Sequence, residues 1–379
     1  MIVNYVNGGV PLNDENQRNI LTQYVYDALG RRTSTTDANN HTTAFSFDDL
    51  GRTLTISDPL YRVNQSEYDK RGNVTKSIDP LLRDTDYQYD ALGRILFLTD
   101  PMQGVTSYGY DGLGNLLTLT DPNQHETSTI FDALNRPAQK FDANDNPVTI
   151  TYDENGNVLG ETNALNERIS HVYDGLNRRV RVEDALGNAT AFVYDVAGNR
   201  VSQTDANGVV TLFGYDALNR LVAVVENYVE GGPADHETNV LTEYTYDKNG
   251  NRLTIRDGNG HTTSFQYDEL NRLIRETDPL DHATQYGYDP PGNRTQLIDA
   301  NGSTTTFVYD DANQLTDILY PDETVTFTYD DAGQRTDMND SAGLTHWGYD
   351  DLGRPSSITD PFNTTRLGIA HPYRIPVTR

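Results

Sequence analysis

Along most of the chain, apolar and polar residues alternate with a period of two in short runs. That spacing marks half-buried β-strands of about five to seven residues. In Thr43/Phe45/Phe47, Thr85/Tyr87/Tyr89 and Thr263/Phe265/Tyr267 the larger side chains fall on one side of a sheet. Eleven of sixteen such runs read Thr-x-aromatic-x-aromatic. Asp follows each run, and the residue three further on is always Gly or Asn. These two residue types enter positive φ most readily. Asp27-Ala28-Leu29-Gly30 is therefore predicted as a type I turn closed by a left-handed residue.

The pattern keeps strict time. Tyr26-Asp27, Phe47-Asp48, Tyr68-Asp69, Tyr89-Asp90 and Tyr110-Asp111 are 21 residues apart, and the series runs unbroken to Tyr215-Asp216. After one step of 31 it resumes at Tyr246 and Tyr267-Asp268, and two final steps of 20 reach Tyr349-Asp350. The left-handed slot is filled by Gly30, Gly51, Gly93 and Gly114 in some units and by Asn219 and Asn271 in others. Ten residues after each signature Asp a second turn begins, as at Asp58-Pro59 and Asp100-Pro101, where Pro suits the second position. The return strand is apolar at Leu54, Leu96, Leu117, Leu159, Val180 and Val201. Two turns and two strands fill the repeat, leaving no room for a helix. The expected fold is all-β: tandem hairpins in a curved or spiralling antiparallel sheet, with aromatic rows meeting across strands and burying the large surface that an isolated unit lacks.

Composition changes the picture in three ways. With 29 Lys+Arg against 56 Asp+Glu the net charge is −27, which repels phosphates and excludes a nucleic-acid partner. Hydrophobic residues are only 36%, a share that points toward disorder, but 24 Tyr, 11 Phe and one Trp supply large buriable surfaces. Zero Cys excludes disulfides, a thiol nucleophile and a Cys-based zinc site. No window reaches the length of a membrane span, and Met1-Ile2-Val3-Asn4-Tyr5 does not read as a signal peptide.

Candidate chemistry yields to the repeat. The many carboxylates are read as turn initiators rather than as acid–base pairs, so no catalytic residue and no enzymatic activity are assigned. Asp153-Glu154-Asn155-Gly156-Asn157 and Asp247-Lys248-Asn249-Gly250-Asn251 begin like calcium loops, yet Val158 and Arg252 stand where a glycine is needed. No cofactor is expected, beyond weak and diffuse divalent-cation binding to the acidic surface. His41, His125, His261 and His282 share one slot after the second turn and are read as solvated turn residues. The aromatic rows are read as wall lining in preference to a sugar-stacking platform.

A slower rhythm overlies the first. From Gly72-Asn73 through Gly93-Arg94 to Gly292-Asn293 the residue after the left-handed slot alternates between Asn and Arg. Duplication of a two-unit block accounts for it, in preference to an arginine row facing a partner. Asn227-Tyr228-Val229 echoes Asn4-Tyr5-Val6, so residues 1–19 are expected to be part of an insertion loop, like the loop expected over 226–241. Repeats are placed over 20–362 and an irregular tail over 363–379, with no clear cap at the start.

The units Tyr26-Asp27-Ala28-Leu29-Gly30-Arg31, Tyr89-Asp90-Ala91-Leu92-Gly93-Arg94 and Tyr215-Asp216-Ala217-Leu218-Asn219-Arg220 resemble the YD-repeat (Rhs-repeat) family over nearly the whole chain. That family includes Rhs polymorphic toxins, the B and C components of insecticidal toxin complexes, wall-associated proteins and teneurins. The resemblance implies a hairpin ribbon wound into a spiral that closes, in full-length members, into a hollow shell around a C-terminal effector. The family's shell-closing, self-cleaving segment has no match after Tyr349, and sixteen units suit an open ribbon better than a closed shell. The expected function is thus a non-enzymatic scaffold, part of a longer YD-repeat polypeptide that encloses an effector, secreted or at the cell surface and exported by a specialised system. An exported wall-associated protein that binds carbohydrate or a neighbouring cell is the second reading. A displaced gene fragment is the third.

Overall fold

A computed structural model describes residues 2–3, 21–235, 237–362 and 365–367. These residues form a 34-stranded open sheet in which successive strands pair antiparallel, and no helix occurs among them. One unit shows the plan. Asp84–Tyr89 runs into the first turn, Ile95–Thr99 returns, a second turn follows at Asp100, and Val105–Tyr110 opens the next unit. Tyr87 faces Leu98 and Gln88 faces Phe97, but Tyr89 faces Ile95, because the return strand carries one extra residue there. The same bulge recurs before the signature aromatic at Tyr26, Phe47, Tyr152, Tyr215, Tyr267 and Tyr349. A bulge bends its strand and increases the twist, so every unit adds a similar increment.

The first turns close as predicted, with Gly93 N–H donating to Asp90 C=O at 3.1 Å and Gly93 at φ 79°. The second turns hold a finding that the sequence reading missed. They have the same backbone, including the left-handed slot three residues after the Asp, although no rule of residue type marks it. Gln103, Gln124 and Asp145 occupy that slot with positive φ, and so do Tyr61 and Leu82, each at 63°. Bulky residues are uncommon in that conformation, at a cost of about 1–3 kcal/mol each. The turn persists because Asp58 and Asp79 over-determine it by hydrogen bonds to the backbone.

The expectation of a large buried surface needs correction. No hydrophobic residue among those described is buried, and Leu54, Leu159 and Leu253 keep 36–37% of their surface exposed. The physical reason is that the sheet is a single layer, so side chains are covered only by neighbours in the same plane. The ends also differ from expectation. Ile2–Val3 pairs with Thr22 and Leu21 inside the predicted loop, and Thr365–Leu367 pairs with Pro355–Thr359 inside the predicted tail. Each adds backbone hydrogen bonds to an otherwise unpaired edge. The rest of 1–19 and of 363–379 lies outside the described residues. The insertion is shorter than expected, because Leu221–Glu226 and Val240–Tyr246 pair as far as Glu226 with Val240.

The described chain forms two compact units. One is the continuous run 107–283; the other joins 1–106 with 284–379. Within the second, turns of the early hairpins lie beside turns of the late ones: Asn39 Nδ2 is 3.2 Å from Asp289 Oδ2, and Arg62 Nη1 is 2.6 Å from Gln314 Oε1.

Candidate functional site: the hairpin wall and its turn ladder

Most signature aspartates organise their turns with both carboxylate oxygens. Asp90 Oδ1 accepts the backbone N–H groups of Leu92 and Arg94 at 2.8 and 3.0 Å, and Oδ2 accepts Arg94 Nε at 2.7 Å. Asp27, Asp48 and Asp216 repeat the arrangement with Arg31, Arg52 and Arg220. In the alternate units asparagine replaces arginine, as where Asp111 Oδ2 accepts Asn115 Nδ2 at 2.8 Å. The backbone N–H of Arg94 holds the Asp90 carboxyl below the ordinary carboxylate range, against desolvation and with help from the Arg94 side chain. For Asp111 the Asn115 side chain is the largest such cause. Asp268 is bonded in the same way by Leu270, Arg272 and the turn backbone. Asn163 does this work in a second turn, which the sequence reading missed because only Asp was sought there.

The alternation has a structural use that simple duplication does not describe. Arg52 Nη1 donates to Asp69 C=O of the next hairpin at 2.7 Å, while its guanidinium lies 4.6 Å from the Tyr68 ring centroid. Arg31 bridges to Asp48 C=O and Phe47 in the same manner, as Arg178 does to Asp195 C=O and Tyr194. Asparagine serves the other step: Asn157, Asn199 and Asn251 each donate to the left-handed Asn of the following unit, Asn177, Asn219 and Asn271, at 2.7–2.9 Å. Where the left-handed residue of an arginine unit is asparagine, as at Asn177, Asn219 and Asn271, that slot thus also supplies a side-chain acceptor, which a glycine lacks. These arginines face the adjacent hairpin, so they do not form an outward row for a partner.

The signature tyrosine is a crosslink. Tyr89 Oη donates to Val74 C=O, at the start of the preceding return strand, at 2.8 Å. Tyr68, Tyr152, Tyr215, Tyr246 and Tyr349 make the same bond to Thr53, Pro137, Arg200, Leu221 and Arg335. Phe47 and Phe131 have no hydroxyl to offer. Desolvation raises the phenol pKa of Tyr89, Tyr152, Tyr309, Tyr329 and Tyr349. Tyr26 lies in the first complete unit and is 54% exposed. Tyr110 faces Leu116, beside the turn of Asp111 and Gly114, and Tyr267 faces Leu273.

The aromatic rows differ from expectation. Guanidinium groups, not direct ring pairs, fill most of the space between rings. Arg200 lies 5.7 Å from Phe192 and 4.8 Å from Phe213, and Arg252, Arg294 and Arg335 lie between Tyr244/Phe265, Tyr286/Phe307 and Phe327/Trp347. The bulge re-aims these first return-strand residues onto the aromatic side, and each contact contributes about 0.5–1 kcal/mol when partly exposed. The sequence reading missed this because it followed ring positions alone. His171 occupies one aromatic slot; burial, with Arg179 nearby, holds its pKa down, and its Nδ1 has no hydrogen-bond partner.

The remaining candidates sit in turns. His125, His261 and His282 each place Nδ1 at 3.0–3.2 Å from their own turn aspartate. His41 Nε2 instead lies 3.4 Å from Asp311 of a late hairpin. The calcium-like segments are repeat turns: Asp153 accepts Asn155 N–H, Asn157 N–H and Asn157 Nδ2, and Asp247 accepts the matching groups. Among the described residues no group of three His, Asp or Glu is arranged to hold a metal ion, and no helix is long and apolar enough to cross a membrane.

The sequence matches the family described as RHS Repeat over residues 21–63, 68–101, 96–126, 152–189, 173–210, 194–228, 246–283, 267–305, 309–345 and 329–365. No curated protein matches it. Among solved structures it is similar to a TcdB2–TccC3 complex, with 18% identity over 93% of this chain and 23% of that one, and a TM-score of 0.59. A Tc holotoxin pore from Photorhabdus luminescens is similar at 20% identity over 89% of this chain and 22% of that one, with a TM-score of 0.59. A further TcdB2–TccC3 structure gives 18% identity, 90% and 23% coverage and a TM-score of 0.60. The chain therefore spans less than a quarter of the length of these structures.

Proposed function

The chain belongs to the RHS-repeat family, and from that premise we propose that it is a segment of a shell wall that separates an enclosed polypeptide from its surroundings. The observation that carries this reading is the direction of the side-chain bonds. Signature Tyr, Arg and Asn groups reach the neighbouring hairpin, so the recurring chemistry of the repeat goes into joining hairpins into a wall. The work is steric and non-enzymatic, and it is done outside the producing cell or at its surface, as part of a longer YD-repeat polypeptide. One of the similar structures is a Tc holotoxin pore, which fits an enclosed effector.

The alternative of a carbohydrate-binding surface is less well supported, because arginines already lie against many of the rings a sugar would stack on. The test is protease protection. The polypeptide encoded with this chain is co-expressed with it and challenged with protease; survival relative to the polypeptide alone supports enclosure. Digestion at the same rate, or glycan-array binding by the folded chain, would overturn the reading.

A further inference from the structure

Within the unit that joins 1–106 with 284–379, a second-turn edge lies against a first-turn edge, and one relay is built twice across the seam. Asp58 Oδ2 fixes Arg62 through Nε and Nη2 at 2.6 Å, leaving Nη1 to donate to Gln314 Oε1 at 2.6 Å. Gln314 is held in turn, because Nε2 donates to Gly333 C=O of the next hairpin at 3.3 Å. One hairpin along, Asp79 fixes Arg83, Arg83 donates to Gln334 Oε1 at 3.2 Å, and Gln334 donates to Gly353 C=O at 2.8 Å. A third rung reverses the roles. Its second turn has Gly104 in place of arginine, and the facing residue is Arg354, whose Nη2 lies 3.8 Å from Met102 Sδ.

Each of these three rungs therefore holds one guanidinium. We propose that Gln314 and Gln334, read against Arg62, Arg83 and Gly104, determine which hairpins meet at this seam. Slipping by one hairpin in one direction sets Arg83 against Arg354, two cations in one gap. Slipping in the other sets Arg62 against Asn293, which is a methylene shorter and already donates to Asp289 and Asn313. Two independent features agree. The Arg/Asn alternation stops at residue 314, where Arg62 first reaches across the seam. The left-handed residues that receive the glutamines are Gly333 and Gly353, and a Cβ at 353 would lie 2.9 Å from Gln334 Nε2. Arg62 and Arg83 side chains are only 14% and 16% exposed, against 65% for Arg354. The seam code is a property of this chain's own edges and stands whether or not the wall encloses a guest.

The test is hydrogen–deuterium exchange on the whole chain. Gln314→Arg with Gln334→Arg should speed exchange of the turns at 58–62, 79–83, 310–314 and 330–334 by about tenfold, while turns at 132–136 and 142–146 stay unchanged. Adding Arg62→Gln and Arg83→Gln, which moves the guanidinium to the other edge as the third rung does, should restore slow exchange. Unchanged exchange in the first variant, or no rescue by the second, would overturn the proposal. Should the arginine variants not fold, Gln314→Glu decides: slower exchange at 58–62 that salt reverses supports the code, and faster or unchanged exchange refutes it.

Discussion

The same hairpin occurs along the seam of one unit and through the run 107–283 that forms the other, and two positions differ. Along the seam the residue four after the second-turn Asp includes Arg62 and Arg83, which reach across, with His41 and Gly104 in the flanking turns; in the run 107–283 it includes His125, Asn146, Glu167 and Asn188, each bonded to its own turn residue. Along the seam's first turns the residue two after the Asp is Ala312 or Ala332, lining open clefts of about 270 and 280 Å³, and at the third rung Leu352, 37% exposed. In the run 107–283 it includes Leu113, Leu134, Leu176 and Leu218, each 68–77% exposed. Backbone and turn chemistry are shared, so the difference teaches that the repeat sets the hairpin while two variable positions set its lateral neighbour.

Acid should erase the comparison and has the largest expected effect. Backbone hydrogen bonds from Arg94, Arg136 and Arg220 hold the carboxyls of Asp90, Asp132 and Asp216 below the ordinary carboxylate range. Their stabilisation is complete above the unfolded value and disappears as pH falls through the lower folded values. Urea midpoints should therefore hold between pH 7 and 5 and drop steeply below pH 4, with the turns at the seam and those of the run 107–283 failing together in hydrogen exchange. Next comes backbone strain. Gly93→Val forces a β-branched residue to positive φ and should cost about 1–3 kcal/mol in urea unfolding. Relief is expected from Leu82→Gly at the seam, and about as much from Gln124→Gly in the run 107–283, roughly 1 kcal/mol each; a gain at Leu82 alone would mean that the seam, not the turn, imposes the strain.

Removing one crosslink is a smaller change. Tyr152→Phe should destabilise by about 1 kcal/mol and Phe131→Tyr should recover a similar amount, read as thermal midpoints. The smallest effect is expected for Leu113→Ala, at a residue 77% exposed, within about 0.5 kcal/mol. A clear loss of stability there would show that the edge is covered in solution and would break the contrast.

Much of the fold was legible because the turn residues have single physical jobs. Asp27 with Gly30, or Asp216 with Asn219, specifies a left-handed turn wherever it occurs, and alternation such as Thr85/Tyr87/Tyr89 specifies the face. The bulge was hidden, since it depends on how Tyr89 and Ile95 meet across strands and not on residue type. The second-turn slot was hidden for the opposite reason: Asp58 and Asp79 bind the turn so well that Tyr61 and Leu82 are tolerated in a glycine conformation. The signal for the seam was present as the break in alternation at Gln314, but its meaning needed the residues about 250 positions earlier, which no local pattern connects.

The insertion carries a practical consequence. Thirteen residues, 227–239, separate Glu226 from its partner Val240, yet Arg220 still donates to Asp247 C=O at 2.8 Å, the distance by which Arg178 reaches Asp195 across an ordinary step. Timekeeping thus belongs to the opposite margin, and the margin carrying the extra residues is free to vary in length. A foreign peptide, an epitope or a fluorescent reporter spliced at this point should ride on the sheet without disturbing its beat, which makes 227–239 a natural grafting port for following the chain in its larger assembly.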